Sequence, residues 1–429
     1  SSDLFFSKSF TSIEFDGTNA YSRLDVAKLA GSDAALFLFF TGANGNSSGL
    51  IVSDRSASGF SGTIGMVNEM NDGNIGQIIV NQDASKDSLS QTSIEFWEGT
   101  NILQIGNGVN NQRVNVLRLD SQNTDGLFGY VQSDNRTSIL RVGRDATNQT
   151  TSGDFDGVLR NGFGTNPNLS FEKDGVGFTQ TLSGTASSYT GSTSILKGTL
   201  EVAKLANGGA NSSIGASTNA ASNLVLGGGS TLAYLGTGDS SDRGFTIDDS
   251  DVIGVRIDSS GTGALDLTNT AAPVFASASP ITLTLGGTNT ASNTLAAAIP
   301  DNGASAVTLV KDGGGTWVLS GSNTYTGTTT VSSGRLAVNG SLGNTAVTVA
   351  GGGTLGGSGS IAGTVSVANG ATLAPGNSIE SLAAGATSFS SGSTFAYEVD
   401  SSVALAAGAD LLTVAGNLSI ASGTLLSFT

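Results

Sequence analysis

The chain of 429 residues contains no cysteine, no histidine and only 5 prolines. Without cysteine it can form no disulfide bond, thiolate nucleophile or zinc–thiolate site. Without histidine it lacks the side chain that most often acts as a general base near neutral pH and ligates transition metals. An enzyme built on this sequence would have to use carboxylates, tyrosine, lysine or serine. We therefore predict that the chain is not an enzyme and binds no cofactor.

Charge is also scarce and mostly of one sign. Lysine and arginine together number 18 against 34 aspartates and glutamates, which gives a formal net charge of −16. A surface that binds nucleic acid needs clustered lysine and arginine, so this composition argues against such a partner. The longest apolar run, residues 34–40, is too short to span a bilayer. We expect it to be a buried strand, and we predict no transmembrane segment.

The sequence is rich in glycine, with 62 residues, and it contains a short repeat. The sequence VTVAGGGTL at residues 347–355 returns as VSVANGATL at residues 365–373, and looser versions occupy residues 418–425 and 224–232. Each copy reads as a short strand with alternating apolar residues, a glycine-rich corner and a Thr-Leu pair that opens another strand. A period of about 18–20 residues suits one coil of a solenoid, which buries its apolar residues by stacking on its neighbours.

A longer repeat begins at Lys173 and again at Lys311. Its motifs are Lys-Asp-Gly, Leu-Ser-Gly, Tyr-Thr-Gly and Gly-x-Leu-x-Val, and from Tyr189 and Tyr325 onward the two copies align without a gap. This series of motifs resembles the autotransporter-associated β-strand repeat of passenger-like regions in bacterial surface and secreted proteins. The resemblance extends from about residue 138 to the C-terminus. It implies a right-handed parallel β-helix, export from a bacterial cell and no catalysis.

The sequence before residue 138 is more aromatic and more charged than the rest. We divide the chain into an N-terminal β-rich region, residues 1–137, and a β-solenoid with autotransporter-associated repeats, residues 138–429. The N-terminal region is interpreted either as a cap or as an early part of the solenoid. The predicted fold class is all-β: a right-handed parallel β-helix (β-solenoid) that forms an elongated rod.

Carboxylates are the main resource left for catalysis or metal binding. The densest acidic cluster contains Asp248, Asp249 and Asp251. Its oxygen atoms could bind Ca²⁺, or an acid and a base there could hydrolyse sugars. The competing interpretation, which we favour, is a solvated acidic loop. We assign no catalytic or cofactor-binding residue and keep these three aspartates as the candidates for a metal site.

Four aromatic residues have two interpretations each. Tyr189 and Tyr325 lie beside Thr-Gly turns and are expected to be structural rather than ligand-binding. Trp97 and Trp317 could present ring faces on which sugars stack. Trp317 takes an aliphatic position of the repeat, so we favour burial in the core.

Residues 422–429 read as an apolar, uncharged strand with no visible cap. Two explanations are open: either a further coil of a longer protein follows, or the end pairs with another subunit and builds fibres head to tail. We therefore predict an extracellular, non-enzymatic structural or adhesive protein of the bacterial cell surface, self-associating through the solenoid ends. The alternative is a carbohydrate-binding or carbohydrate-active β-helix, whose partners would be surface glycans.

Overall fold

The structure is a computed structural model, and it describes fourteen ranges of the chain. These are residues 2–5, 11–16, 23–41, 48–52, 60–68, 76–80, 93–97, 100–105, 112–121, 129–133, 137–143, 152–163, 167–399 and 408–428. The chain forms two compact units, Ser1–Thr218 with Asn223–Val225 and Asn219–Ser222 with Leu226–Thr429.

The described part of the first unit consists mainly of strands. Its described strands are β1 (Ser2–Phe5), β2 (Thr11–Asp16), β3 (Arg23–Thr41), β4 (Ser48–Val52), β5 (Phe60–Asn68), β6 (Gly76–Val80), β7 (Ser93–Phe96), β8 (Asn101–Ile105), β9 (Gln112–Val116), β10 (Arg118–Ser121), β11 (Gly129–Ser133), β12 (Thr137–Val142), β13 (Gly153–Phe155), β14 (Val158–Arg160), β15 (Asn168–Lys173), β16 (Thr179–Leu182), β17 (Thr193–Ile195) and β18 (Gly198–Val202).

Parallel ladders make up the faces of the first unit. One face runs from the first half of β3 through β4, β6, β8 and β11 to β14, and a second runs from the other half of β3 through β5 and β7 to β10. A third joins β9, β12, β15 and β17, and a fourth joins β13, β16 and β18. The predicted strand at residues 34–40 lies within β3, where Leu36 and Leu38 are buried.

A 3-10 helix at Ala221–Asn223 and strand β19 (Leu224–Gly227) lie where the two units divide. The strands that follow in the second unit are β20 (Ser230–Tyr234), β21 (Asp239–Ser241), β22 (Thr246–Asp248), β23 (Val255–Ser259), β24 (Leu265–Leu267), β25 (Val274–Phe275), β26 (Ile281–Gly286), β27 (Ser292–Leu295), β28 (Val307–Lys311), β29 (Thr316–Leu319), β30 (Ser322–Asn323), β31 (Thr329–Val331), β32 (Gly334–Val338), β33 (Ser341–Leu342), β34 (Val347–Val349), β35 (Gly353–Gly357), β36 (Ser360–Ile361), β37 (Val365–Val367), β38 (Thr372–Pro375), β39 (Ser381–Ala384), β40 (Thr387–Phe389), β41 (Thr394–Tyr397), β42 (Leu411–Val414), β43 (Leu418–Ile420) and β44 (Leu425–Phe428).

The second unit repeats one coil of three short strands. β31, β34, β37, β40 and β43 stack on one face, β32, β35, β38, β41 and β44 on the next, and β33, β36, β39 and β42 on the third, all in parallel. Each strand pairs with one in the neighbouring coil, which is the pattern of a β-solenoid. The predicted all-β parallel solenoid is confirmed in each unit.

Stacked apolar side chains form the core of both units. In the first unit, Leu103, Val131 and Leu159 stand in register on β8, β11 and β14 and are fully buried. In the second unit, Val349 lies over Val367 in the same way, as the short repeat predicts. Full burial of such a side chain stabilises the fold by about 1.5–3 kcal/mol.

Parallel pairing continues across the boundary proposed at residue 137. Strand β12, which begins at Thr137, pairs with β9 before it and with β15 after it. The two compact units instead divide near residues 218–226. The division into residues 1–137 and 138–429 stays a prediction, and so does the right-handed sense of the coil.

Candidate functional surfaces

The first copy of the long repeat closes a corner around a buried lysine. Lys173, at the end of β15, is fully buried, and its Nζ donates hydrogen bonds to the carbonyl oxygens of Asp174 (2.6 Å), Gly175 (3.3 Å) and Lys197 (3.0 Å). Burial lowers the pKa of Lys173 to about 7, and the charge of Asp174 opposes that shift. Gly198 has a φ of +73°, and a Cβ there would lie 2.8 Å from Lys173 Nζ. Only glycine fits that position without strain.

The second copy builds the same corner. Lys311 Nζ, also fully buried, donates to the carbonyl oxygens of Asp312 (2.6 Å), Gly313 (2.8 Å) and Ser333 (3.0 Å). Burial lowers its pKa to about 8. Gly334 has a φ of +64°, and a Cβ there would lie 2.7 Å from the amine. The repeated lysine therefore supplies donors to backbone carbonyls that turn inward at the corner.

The repeated tyrosines belong to the core. Tyr189 and Tyr325 are fully buried, and each hydroxyl shares a hydrogen bond with a threonine hydroxyl four residues later, Thr193 at 2.6 Å and Thr329 at 2.7 Å. Burial raises the pKa of Tyr325 far above its ordinary value. These contacts give both rings the structural role expected from the sequence.

The candidate metal ligands do not face a common centre. Asp249 is fully buried, and its two oxygens accept the backbone N–H groups of Ile253 and Gly254, both at 2.9 Å, whereas Asp248 and Asp251 are exposed. Across the described ranges no three acidic side chains form a group that could hold a metal ion. Asp249 closes a turn, and the metal site at these three residues stays a prediction.

The two tryptophans differ in exposure. Trp317 is fully buried and its Nε1 donates to the Gly286 carbonyl oxygen at 2.8 Å, so its faces are closed to a ligand. Trp97 is half-buried, and its Nε1 donates to Glu95 Oε2 at 3.1 Å. Burial of Trp317 in the core is thus confirmed.

Glu95 and Asp120 bring carboxylates together on one outward face of the first unit. They lie opposite each other on β7 and β10, and Arg118 contacts Glu95 Oε1 (3.4 Å) and Asp120 Oδ2 (2.6 Å). The second oxygen of Glu95 accepts from Trp97, and that of Asp120 accepts the Asp154 N–H. Burial raises the pKa of Asp120, with Arg118 opposing. Three of the four oxygens accept a hydrogen bond within the chain, and the fourth, Asp120 Oδ2, has only its ion-pair contact with Arg118.

A second outward face of this unit carries stacked amides that end at an arginine. Gln77 and Gln132 donate to Gln104 Oε1 at 2.9 and 3.3 Å, and Arg160 Nε donates to Gln132 Oε1 at 3.0 Å. The Arg160 guanidinium carbon lies 4.1 Å from the ring centroid of Tyr130. We call these five residues, with Phe163, the amide–arginine strip. The strip was not predicted from the sequence, and its only signal there is a separation of 27 or 28 residues between the bonded partners.

The last coil of the second unit exposes apolar side chains on β42, β43 and β44. Their exposed fractions are 56% for Leu411, 50% for Leu418, 58% for Ile420, 58% for Leu425, 62% for Leu426 and 70% for Phe428. In the preceding coil, the register partner of Ile420, Phe389, is 4% exposed. Ile420 is therefore exposed at a position that the preceding coil buries.

Comparisons with known proteins agree with this arrangement. The passenger-associated-transport-repeat family model matches residues 171–202 and 309–338, the two stretches that hold the lysine and tyrosine corners. The chain is 49% identical over 160 residues to the adhesin BmaC autotransporter of Brucella suis biovar 1 (strain 1330). That match covers 36% of this chain and 5% of the relative's length. No solved structure matches the chain.

The fold defines a parallel β-solenoid whose corners repeat a fixed set of side chains. The matches identify those corners as passenger-associated transport repeats, so the chain contains repeats of this kind and is similar over part of its length to an autotransporter adhesin. The resemblance inferred from the repeated motifs is confirmed. Within the residues that the structure describes, no helix has the length and apolar character needed to cross a bilayer.

Proposed function

We propose that this chain is an adhesive, non-enzymatic part of an exported passenger region displayed on a bacterial surface. The observation that carries the proposal is the pair of equivalent lysine–tyrosine corners in a parallel solenoid that is related in sequence to an autotransporter adhesin. A solenoid of this kind offers long lateral faces for contact, since each coil adds another row of outward side chains.

Adhesion of the isolated chain tests this proposal. Beads coated with the purified protein are expected to be retained on a layer of epithelial cells under flow, and an antibody to the chain should label intact source bacteria. Beads coated with an unrelated acidic protein of similar size are the control. Equal retention of both bead types, or labelling only after the bacteria are permeabilised, would contradict the proposal.

We propose further that the chain self-associates through its exposed last coil. A strand edge with unpaired N–H and C=O groups pairs readily with another strand, and the apolar side chains beside it favour burial. The occupant proposed is a second copy of the chain, stacked in the open head-to-tail geometry that gives filaments. Such stacking would continue the parallel ladders seen between β40 and β43 and between β41 and β44.

Sedimentation velocity over a range of concentrations tests the self-association. The native chain is expected to form larger species as concentration rises, and Leu425→Asp should abolish them by placing a charge in the joint. Val274→Asp, at a half-exposed position on β25, is the matched control and should leave the larger species unchanged. A native chain that stays monomeric throughout would refute self-association and leave the adhesive proposal standing.

A further inference from the structure

Among the residues that the structure describes, Arg160 has no acidic partner, in a chain whose net charge is −16. Its Nε is bonded to Gln132, and its guanidinium carbon lies 4.1 Å from the ring centroid of Tyr130 and 5.6 Å from that of Phe163. Among the described residues no carboxylate lies within ion-pair distance of it, whereas arginines such as Arg113 on the same unit have one. We infer that the amide–arginine strip binds an acidic oligosaccharide, whose carboxylate pairs with Arg160.

The aromatic part of the strip supplies a platform for a sugar ring. Phe163 is 78% exposed, the largest exposed fraction among the large apolar side chains of the described residues. An aromatic face beside polar groups suits the apolar face of a sugar ring. Because the rings of Phe163 and Tyr130 both lie close to the guanidinium, they hold it in place and leave its terminal nitrogens to a ligand.

The glutamines extend the strip along the coils. An amide carries both donors and acceptors, so the half-buried Gln77 and Gln104 match the hydroxyl groups of a sugar chain, whereas Gln132 is 4% exposed and holds Arg160. Strands β6, β8, β11 and β14 are consecutive neighbours in one sheet, which makes the strip about 14 Å long at the usual strand spacing. A ligand of several linked rings fits this length better than a single small anion does.

The chemistry favours a carboxylate as the anionic group. A guanidinium presents a planar fork of donors that matches the two oxygens of a carboxylate. The negative charge of the whole chain repels an acidic ligand at long range, but at physiological ionic strength that field is screened beyond about 8 Å. The local contacts of Arg160 therefore decide the affinity. This inference rests on the proposed adhesive function and names its ligand class.

Calorimetric titration with three hexasaccharides tests the inference. The probes are hyaluronan, which carries carboxylates alone, chitohexaose, which is neutral, and a heparin fragment, which carries sulfates in addition to carboxylates. Hyaluronan is expected to bind best, and Phe163→Ala and Arg160→Gln should each weaken it about tenfold or more. Arg113→Gln and Val176→Ala are the matched controls: the first removes a paired charge and the second an exposed apolar side chain, and both should leave binding unchanged.

Four results would overturn the inference. Equal binding of chitohexaose would show that charge has no role. Tighter binding of the heparin fragment than of hyaluronan would show that sulfate, and not carboxylate, is the preferred partner of Arg160. Hyaluronan binding that survives both strip variants places the site elsewhere on the chain. If no hexasaccharide binds while coated beads still adhere to cells, the glycan inference fails and the adhesive function stands; loss of bead adhesion by the native chain would refute the adhesive function itself.

Discussion

The two copies of the long repeat form the same corner in two different units. Lys173 and Lys311 are both fully buried, and each donates to three backbone carbonyls. Tyr189 and Tyr325 likewise bond the hydroxyl of a threonine four residues on. The residues that recur are therefore those that satisfy buried polar groups, since a buried carbonyl without a donor destabilises any fold.

The two copies differ at one buried position, which lies in β16 in the first copy and in β29 in the second. Counted back from the leucine of Leu-Ser-Gly, Gln180 in one copy occupies the place of Trp317 in the other, so the aliphatic residue expected at this position is present in neither copy. The Gln180 amide reaches the backbone N–H and C=O of Leu119, at 3.2 and 3.0 Å, past Gly153, where a Cβ would lie 2.7 Å from its oxygen. The ring of Trp317 instead fills volume in the core, and its Nε1 donates to one carbonyl oxygen, that of Gly286. The position tolerates exchange because either side chain supplies a donor.

Truncation at this differing position is expected to have the largest effect. Trp317→Ala should lower the free energy of unfolding by about 3–5 kcal/mol, because it removes a large buried ring and leaves a cavity. Gln180→Ala should cost less, about 1–3 kcal/mol, because it chiefly leaves two backbone groups of Leu119 unbonded. Denaturant unfolding of both variants measures the difference.

Amide hydrogen exchange separates the two causes. In Gln180→Ala the Leu119 amide should exchange much faster, since its acceptor is lost, whereas Trp317→Ala should leave that amide unaffected. If both variants lose the same stability, the indole contributes no more packing than an amide and the contrast between the copies disappears.

Removal of the corner lysines should have an intermediate effect and should be equal in the two copies. Lys173→Met and Lys311→Met each deprive three carbonyls of a donor, while they also relieve the burial of an ammonium group. Three carbonyls then lack a donor, and the cost of burying one charge is removed. We therefore expect each variant to lower the free energy of unfolding by about 1–3 kcal/mol. Thermal unfolding measures it, and Lys204→Met, at a half-exposed lysine, is the control.

A stabilising effect of either methionine variant would contradict this account of the corner. It would mean that the burial of the ammonium outweighs the three hydrogen bonds. A large loss in one copy alone would show that the shared motif does not have the same role in both units.

Raising the pH should distinguish the two copies, because the free energy of unfolding begins to increase at a different pH for each buried lysine. Burial holds the folded-state pKa of Lys173 at about 7 and that of Lys311 at about 8, below the ordinary 10.5. Between the folded and unfolded values the unfolded chain binds more protons, so stability increases with pH, by up to about 1.4 kcal/mol per unit for each lysine. Below pH 7 both states are protonated and this contribution is constant.

Unfolding measured at half-unit steps from pH 6 to 9 tests the order. The increase in the free energy of unfolding should start about one pH unit lower for Lys173 than for Lys311. Each methionine variant should remove the increase that its lysine contributes. A flat profile in the native chain would show that both amines stay charged across this range, held by their carbonyl partners.

Much of the fold could be predicted because the short repeat has one consistent spacing. Strands β31, β34 and β37 begin 18 residues apart, at Thr329, Val347 and Val365, and their alternating apolar residues leave one register for burial. The early coils are longer, with bonded glutamines separated by 27 and 28 residues. Insertions at their corners hide this period from a search for short repeats.

The amide–arginine strip was harder to predict than the core. Glutamine and arginine on an outward strand position look like ordinary solvated residues, and a single sequence does not show that no carboxylate in the described ranges lies within ion-pair distance of Arg160. The acidic residues Asp248, Asp249 and Asp251 are close in sequence, which predicts a cluster. Its most buried member, Asp249, instead bonds two backbone N–H groups of its own turn.

The smallest effect is expected at the tyrosines, where the copies agree most closely. Tyr189→Phe and Tyr325→Phe keep the ring and remove one buried hydrogen bond, so each should cost about 1 kcal/mol by denaturant unfolding. The two losses should agree within a few tenths, because the bonded threonines lie at nearly equal distances, 2.6 and 2.7 Å. A difference above 1 kcal/mol would break the equivalence. Thr329 also contacts Thr345 at 3.2 Å, so that network would then be the cause to examine with Thr345→Val.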